Sequence, residues 1–326
     1  MAKRDLKAEI VRILSDGTFH SGEKLGHEFG ISRAAVANHI KSLSELGLDI
    51  FSVHGKGYRL ASDIVLLNND AIASYASSNH SLDIYNILGS TNDQLLQTIR
   101  QGGGYQDGYT VIAECQTKGR GRRGRQWQSP FGSHIYLSQF RIMEDGLIAA
   151  SGMSLAIGVA ILRACNRFIE GSVELKWPND ILHEGRKLAG ILVEAEGQSD
   201  GACSLVIGIG VNFDMPEVSS ELIDQPWTDF KQISRHNLDR NQLAAAILDE
   251  IELVMTEYRE NRLANLAAEW NEHNAFKNRQ VNLISSNNVK QGRCLGIDGS
   301  GALLLEDNDS GLVQKIYGGE VSLRAS

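Results

Sequence analysis

The sequence has few cysteines and no long apolar run, and each absence argues against a class of protein. Its four cysteines lie far apart without a CxxC pair, which argues against a zinc site and suits a reducing cytoplasm. The most apolar long stretch, Leu147 to Leu162, is shorter than a membrane span and contains serine and glycine. The charges scattered through the N-terminus do not form a secretory signal. We therefore expect a cytoplasmic protein that does not associate with membranes.

Internal repeats and low-complexity tracts are also absent, and the composition is that of an ordinary globular protein. Its 326 residues are enough for about two to three domains. Residues 1–60 contain nine Lys/Arg and seven Asp/Glu, a balance near +2, within a chain whose net charge is −8. The remainder is therefore near −10, and this contrast indicates two separate functions.

The N-terminal segment has the pattern of a winged helix-turn-helix. Apolar residues at helical spacing form three short segments separated at Gly17 and Gly30, and Ser32 can cap the third helix. Apolar and polar residues then alternate over residues 50–60 around the sequence HGKG. This alternation predicts a strand-turn-strand wing with Lys56 at its basic tip.

The third helix is the expected DNA-reading element, because the second helix of a helix-turn-helix motif enters the major groove. The predicted DNA contacts are Ser32, Arg33, Ala37, Asn38, Lys41 and Lys56. A charge near +2 is weak for DNA affinity, which favours a dimer that reads two half-sites. A helical module used only for dimerisation is the alternative.

The rest of the chain predicts two further domains. Beyond residue 63, strands are predicted at 109–114, 133–142, 173–177, 187–196 and 204–213, and helices at 92–100, 147–168 and 239–261. Helices around a mixed sheet make the fold α/β or α+β, and we assign it to α+β. From residue 274, short strands and turns predict a small barrel-like β domain. The expected domains are residues 1–62, 63–273 and 274–326.

Residues 118–127, KGRGRRGRQW, place one lysine and four arginines among three glycines. Ordering glycines costs entropy and like charges repel, but both penalties fall when arginines bind phosphate or carboxylate oxygens. We predict a loop that is mobile when empty and ordered over an anionic ligand. A nonspecific nucleic-acid segment and a solvated basic turn are the alternatives. The chain has neither a P-loop nor a GxGxxG sequence that opens a βαβ unit.

Four motifs accompany this loop along the chain. They are STN at 90–92, KWPND at 176–180, RKLAGIL at 186–192 and GxGxN at 208–212. With the loop, the N-terminal winged helix and the C-terminal β domain, they make the chain resemble the bacterial bifunctional biotin protein ligase and biotin operon repressor over nearly its whole length. The resemblance implies a central ligase domain of class II synthetase type and a C-terminal SH3-like barrel.

The resemblance also implies an activity. Biotin's carboxylate would attack the α-phosphate of Mg-ATP to give biotinyl-5'-AMP and pyrophosphate. A lysine of the biotin carboxyl carrier protein of acetyl-CoA carboxylase would then displace AMP. With biotinyl-5'-AMP bound, the protein would form a homodimer and repress the biotin operon at its operator DNA. The implied ligands are biotin, ATP and Mg²⁺.

Matching positions supply the implied site. Lys187 and Arg122 would be catalytic by stabilising developing charge. Biotin would contact Ser90, Thr91, Asn92, Gln116, Arg120, Gly121, Arg122 and Lys187. ATP or the adenylate would contact Gly119, Arg125, Trp127, Lys176, Asn179, Asp180, Gly190, Gly208, Gly210 and Asn212. Trp127 would offer its face to adenine, and Asp180 is the candidate magnesium ligand.

Three rival interpretations remain open from the sequence. A lipoate-protein ligase would share the catalytic fold, but no RRxxGGG-type motif is present. A transcription factor could sense a small acid through an inactive ligase domain, although Lys187 and Arg122 are intact. A ligase could also use its N-terminal module only to organise a dimer.

Overall fold

Three structural units follow one another along the chain. The computed structural model describes residues 6–61, 64–144, 146, 150, 152–197, 201–235, 238–284, 289–317 and 322–325. Three helices with a two-stranded ribbon come first, a seven-stranded mixed sheet is central, and a five-stranded antiparallel sheet is last. This arrangement confirms the predicted α+β fold. Within the described residues, no helix is long and apolar enough to cross a membrane.

The N-terminal unit is a winged helix-turn-helix, as predicted. Its elements are α1 Leu6–Leu14, α2 Gly22–Phe29, α3 Arg33–Glu45, β1 Ile50–Val53 and β2 Gly57–Leu60. The Ser21 and Ser32 hydroxyls accept hydrogen bonds from backbone N–H groups of the first turns of α2 and α3, each at 3.1 Å. Gly30 ends α2 with a φ of 67°, a left-handed conformation that glycine adopts readily. Local sequence signals therefore determine the limits of these helices.

The central sheet has the order β3-β4-β5-β9-β8-β7-β6. Its strands are β3 Leu82–Tyr85, β4 Thr110–Ala113, β5 His134–Met143, β6 Glu174–Lys176, β7 Asp180–His183, β8 Arg186–Gly197 and β9 Cys203–Asn212. Only β3 and β4 pair in parallel among these described strands. The long strands β5, β8 and β9 form the centre and carry the polar motifs at one end.

Helices cover both faces of this sheet. They are α4 Asn69–Tyr75, α5 Thr91–Arg100, α6 Met153–Asn166, α7 Glu217–Ser220, α8 Phe230–Ile233 and α9 Arg240–Asn261. Leu95 and Leu96 of α5 pack with Val206 of β9 on one face. On the other face, α6 and α9 belong to a large apolar core that includes Ile207. Neighbouring residues of β9 thus enter different cores, as the alternation of a strand requires.

The sequence missed several short elements of this unit. The strands β3 and β7 and the helix α4 were not predicted, because four to seven residues carry little periodic signal. KWPND was expected to end in a turn, whereas Asp180 already begins β7. The helix expected at 147–168 is described as Met153–Asn166, and residues 147–149 and 151 lie outside the described residues.

The C-terminal unit packs directly on the central one. It consists of α10 Leu266–Glu272, β10 Gln280–Ile284, β11 Val289–Ile297, β12 Leu303–Asp307, β13 Val313–Ile316 and β14 Ser322–Ala325, with the sheet order β13-β12-β11-β10-β14. Leu303 and Leu323 join the same apolar core as the central helices. The expected boundary at residue 274 lies in backbone bonded to the central sheet, where Leu175 donates to His273 at 2.8 Å. The exact domain limits stay a prediction.

Candidate active site

A cleft of about 530 Å³ lies between the central sheet, the loop 118–127 and the C-terminal unit. The predicted ligase-site residues that line it are Ser90, Thr91, Asn92, Gln116, Arg120, Gly121, Arg122, Arg125, Trp127, Lys176, Asn179, Asp180, Lys187, Gly190, Gly208 and Gly210. Gly119 and Asn212 were also predicted, but they do not line the cleft. The five motifs, which are dispersed along the chain, therefore meet in one place.

The loop 118–127 is a small hairpin closed against the sheet. The Trp127 N–H donates to the Gly119 carbonyl at 2.9 Å, and the Gly121 N–H donates to the Arg125 carbonyl at 2.7 Å. At Gly119 an added Cβ would lie 2.6 Å from the Trp127 carbonyl oxygen, so the base of the hairpin has no room for a side chain. Gly119 therefore shapes the loop. The expected mobility of the empty loop stays a prediction.

Glycines of two motifs make room for the Trp127 indole. A Cβ at Gly210 would lie 2.6 Å from the ring, and one at Gly190 would lie 3.1 Å from it. The Lys187 ammonium lies 5.3 Å from the ring centroid, within range of a cation–π contact. The indole Nε1 is buried and has no hydrogen-bond partner among the described residues. The indole thus packs on bare backbone of β8 and β9 in the wall of the cleft.

A network of buried polar groups forms one end of the cleft. The Thr91 N–H donates to Gln116 Oε1 at 2.8 Å, and Gln116 Nε2 donates to Ser129 Oγ at 3.2 Å. Ser138 Oγ lies 2.6 Å from Thr91 Oγ1 and 2.5 Å from Asn92 Oδ1. Ser90 caps α5 by accepting from the Asp93 N–H at 3.4 Å. These contacts hold several hydrogen-bonding side chains in fixed positions at this end of the cleft.

Asp180 lies between two lysines in the cleft. Its Oδ1 is 2.6 Å from Lys187 Nζ, and its Oδ2 is 3.5 Å from Lys176 Nζ. Burial would raise the pKa of the Asp180 carboxyl, but the two ammonium groups and their hydrogen bonds hold that pKa below its ordinary value. Burial lowers the pKa of Lys176, although Asp180 opposes this shift. The cleft therefore holds a surplus of positive charge next to one ionised carboxylate.

Two loop arginines have different surroundings. Arg122 donates to Asn179 Oδ1 at 3.2 Å within the cleft, and burial lowers the pKa of its guanidinium. Arg120 instead pairs with Asp93 at 2.5 Å and with Glu194 at 3.1 Å. The charge of Arg122 is therefore directed into the cleft, whereas Arg120 is ion-paired at its edge.

Three family models match separate parts of the chain. Family models match residues 7–59 as an HTH domain, residues 85–212 as the biotin/lipoate A/B protein ligase family and residues 277–324 as the biotin protein ligase C-terminal domain. The bifunctional ligase/repressor BirA of Escherichia coli K12 is 40% identical over 326 residues, which cover 100% of this chain and 99% of that protein. The chain belongs to the bifunctional ligase/repressor family. Membership confirms the resemblance inferred from the motifs.

Other members and structures agree with this assignment. The bifunctional ligase/repressor BirA of Bacillus subtilis is 28% identical over 324 residues and covers 98% of each chain. The biotin protein ligase of Aquifex aeolicus, solved in complex with biotin and ATP, aligns with a TM-score of 0.64 at 25% identity. That alignment covers 76% of this chain and 99% of the Aquifex chain. The ligase portion of the family fold thus accounts for most of the structure.

The winged helix-turn-helix supplies the surface expected of a ligase/repressor. All six predicted DNA contacts are exposed: Ser32, Arg33, Ala37, Asn38, Lys41 and Lys56. Five of them lie at the N-cap or on the outer face of α3, opposite the buried stripe. Arg59 was not predicted, yet its guanidinium lies 5.0 Å from the Phe19 ring and 5.4 Å from the Phe51 ring. Arg59 is therefore packed between aromatic rings at the base of the wing, whereas Lys56 is exposed at its tip.

Sequence reasoning missed other residues of the ligase cleft. Arg279 and Arg324 of the C-terminal unit line it, as do residues 224–226. No sequence motif includes these residues, and arginines near strand ends are common on protein surfaces. Their place in the cleft is therefore seen only once the C-terminal unit packs on the central one. Asn212 has a structural position, because its amide donates to the backbone carbonyls of Lys187 at 3.2 Å and Thr228 at 3.1 Å. It supports the strand that carries Lys187.

Proposed function

We propose that this ligase/repressor activates biotin with ATP to biotinyl-5'-AMP and transfers biotin to a lysine of the biotin carboxyl carrier protein of acetyl-CoA carboxylase. One observation carries the proposal. A single cleft joins a pocket of ordered polar groups, including Thr91 and Gln116, to the cationic side chains of Lys187 and Arg122. Such a cleft suits a small polar molecule whose carboxylate must meet a nucleotide phosphate.

The polar end of the cleft is the proposed biotin pocket. Ser90, Thr91, Asn92 and Gln116 are held by hydrogen bonds within the protein, so their orientation is set before a ligand arrives. A site that hydrogen-bonds a ligand rejects analogues without those polar atoms, because its buried groups would be left unpaired. This end of the cleft would therefore select the head of biotin.

The cationic end is the proposed reaction centre. Biotin's carboxylate is already ionised at neutral pH, so the first step requires no general base. Its attack on the α-phosphate forms an acyl-phosphate bond and releases pyrophosphate, while charge develops on the phosphate oxygens. Lys187 and Arg122 would stabilise that charge. Asp180 holds Lys187 at 2.6 Å beforehand, and the ATP phosphates would compete with it for the ammonium.

The second step takes place at the acyl carbon of the adenylate. The ε-amine of the acceptor lysine would attack this carbon, a biotinyl amide would form, and AMP would leave. Before transfer, the cleft must exclude water, because the mixed anhydride hydrolyses readily. The closed hairpin 118–127 and the Trp127 ring support this role, since both cover the wall formed by β8 and β9.

Magnesium would be bound mainly by the triphosphate. Two carboxylates line the described cleft, Asp180 and Asp224. Among the described residues, no group of three or more acidic, histidine or cysteine side chains is arranged to hold a metal ion. Mg²⁺ in nucleotide sites keeps several waters and binds one or two carboxylates beside the phosphates. Asp180 could serve as such a single ligand only after its oxygens part from the ammonium groups of Lys187 and Lys176, and the ion would neutralise phosphate charge.

The repressor function is proposed for the N-terminal unit. We infer that the protein with bound biotinyl-5'-AMP forms a homodimer whose two α3 helices read a two-fold biotin operator. The exposed Arg33, Asn38 and Lys41 support base and phosphate contacts. A gel shift with operator DNA should require biotin and ATP together. Operator affinity that neither ligand changes would contradict this part of the proposal.

Biotin-dependent exchange of pyrophosphate into ATP tests the ligase proposal. The wild type should catalyse exchange and then transfer biotin to a carrier domain, and Lys187→Ala should lower exchange about 100-fold or more. Lys231→Ala is the matched control, because Lys231 pairs with Asp214 at 2.8 Å away from the cleft. Its exchange should equal that of the wild type. A wild type without biotin-dependent exchange would overturn the ligase proposal.

A further inference from the structure

Glu194 connects two residues of the cleft wall. It lies in β8, and its Oε2 accepts from Asn92 Nδ2 at 2.7 Å. Both of its oxygens also accept from the Arg120 guanidinium, each at 3.1 Å. Asp93, in the first turn of α5, accepts from the same guanidinium at 2.5 Å. Arg120 is therefore paired with two carboxylates that belong to the rigid sheet and helix.

Arg120 was predicted to contact biotin, but its ion pairs favour a role in holding the loop. The Arg120 guanidinium already contacts three carboxylate oxygens. Their negative charge offsets its positive charge, so it attracts an anionic ligand only weakly. Desolvation lowers the pKa of Arg120, but the bonds to Glu194 and Asp93 more than compensate and raise it. The ion pairs thus favour the charged, attached form of the loop. Arg122, which faces the cleft, is the loop arginine better placed for the ligand.

We propose that Glu194 is a positioning residue that latches the loop 118–127 over the bound adenylate. The inference rests on the proposed ligase function. The loop contains three glycines, so it gains much conformational entropy when it opens. Trp127 anchors one end of the hairpin on β8 and β9. The Arg120–Glu194 pair anchors the other end, and breaking it raises the rate at which the loop opens and the adenylate escapes.

The same carboxylate also orients the polar pocket. Asn92 is buried, and its amide donates to Glu194 as well as to the Leu192 carbonyl at 3.3 Å. Loop closure and pocket geometry therefore depend on one side chain. Glutamine at position 194 would still accept from Asn92, but it would lose the charged pair with Arg120. The substitution Glu194→Gln therefore separates the latch from the orientation of Asn92.

The strand offers a matched control. Glu196 lies two residues further along β8 and points to the same side of the sheet. It pairs with Arg100 of α5, outside the residues that line the cleft. Glu196→Gln removes the same charge from the same strand without changing the loop contact. Any difference between the two variants reports the latch rather than the loss of one negative charge.

The test measures release of radiolabelled biotinyl-5'-AMP from the full-length protein during a chase with unlabelled biotin. Glu194→Gln should release it about three to ten times faster than the wild type, as for the loss of a charge-assisted contact at a partly exposed site. Glu196→Gln should match the wild type. High salt should accelerate release more in the wild type than in Glu194→Gln, because salt screens the ion pair. Asp93→Asn, which leaves Asn92 untouched, should also accelerate release.

The outcomes separate this inference from the ligase proposal. If the wild type forms no adenylate, the ligase proposal itself fails. If the wild type forms adenylate but Glu194→Gln and Asp93→Asn release it at the wild-type rate, the latch is wrong and the ligase proposal stands. Equal acceleration in Glu194→Gln and Glu196→Gln would assign the effect to general charge and would also overturn the latch.

Discussion

The backbone N–H of Phe131 donates a hydrogen bond to the carbonyl oxygen of Leu46 at 3.0 Å. Leu46 is the C-cap of α3, the expected DNA-reading helix. Phe131 lies four residues after Trp127, and its side chain is fully buried in the core of the N-terminal unit. The segment that follows the loop 118–127 therefore packs directly against the winged helix-turn-helix. The central unit and the N-terminal unit are thus in direct contact at the end of α3.

Gly47 tests this connection. Its φ is 90°, and an added Cβ would lie 2.6 Å from Pro130 Cβ. We expect Gly47→Ala to displace Pro130 and to lower the free energy of unfolding by about 1–3 kcal/mol. Operator affinity should fall, while pyrophosphate exchange stays within about twofold, since the cleft residues are unchanged. Urea unfolding and gel shifts measure both effects.

Gly171→Ala is the control for Gly47→Ala. Gly171 has a φ of 77°, but no atom lies within 4 Å of its added Cβ. Gly171→Ala should therefore lower the free energy of unfolding through backbone strain alone. It should bind operator DNA as tightly as the wild type. If Gly47→Ala also bound operator like the wild type, the packing of Gly47 on Pro130 would have no role in DNA binding.

Gly210 tests the position of the Trp127 ring. A methyl group at Gly210 would overlap the indole, whose Cε2 would lie 2.6 Å from the new Cβ. We expect Gly210→Ala to lower kcat/KM for exchange by about 10–100-fold, because small displacements in an ordered site are costly. Gly158→Ala is the control, since its Cβ would meet Leu175 at an ordinary 3.5 Å. Unchanged exchange in Gly210→Ala would show that the ring position is unimportant.

The burial of His134 should make the protein less stable in mild acid. Burial lowers the pKa of this histidine to about 3, whereas the unfolded pKa is about 6.5. The unfolded chain therefore binds more protons between these values, and stability rises with pH across this window. As pH falls from about 6.5 towards 3, His134 should lower the free energy of unfolding by up to about 1.4 kcal/mol per pH unit.

Urea unfolding at several pH values checks the contribution of His134. His134→Asn keeps an acceptor near Nδ1, which accepts from the Phe213 N–H at 3.0 Å, but it cannot take up the proton. The variant should show a flatter dependence of unfolding free energy on pH. His54→Asn, at the exposed tip of the wing, is the control for replacing a histidine outside the core. Equal slopes for wild type and His134→Asn would contradict the prediction.

Arg33 tests the DNA-reading face of α3. It is exposed at the first position of the helix, where side chains of a recognition helix reach base edges and phosphates. We expect Arg33→Ala to lower operator affinity by about 1–3 kcal/mol if it contacts a base, or to reduce the salt slope by about one if it contacts a phosphate. Arg12→Ala is the control, because the Arg12 side chain is exposed on α1. An unchanged affinity and salt slope would exclude Arg33 from the interface.

Local sequence signals were sufficient to predict much of the secondary structure. Ser21, Gly30 and Ser32 set helix limits through contacts within a few residues, so the winged helix-turn-helix could be predicted from its own sequence. The long strands β5, β8 and β9 were predicted to within one residue at each end, because ten or more residues carry a clear pattern. The strands β3 and β7 were missed because four residues do not.

The sequence by itself determined the helix caps, the long strands, the basic loop and the set of motifs that indicates the family. Tertiary structure alone decided how those residues meet. It packs Trp127 on Gly190 and Gly210, brings Arg279 and Arg324 into the cleft, and pairs Arg120 with Glu194, 74 residues away. Caps and strand patterns arise from neighbours along the chain. Contacts across the cleft arise only when separate strands and units pack together.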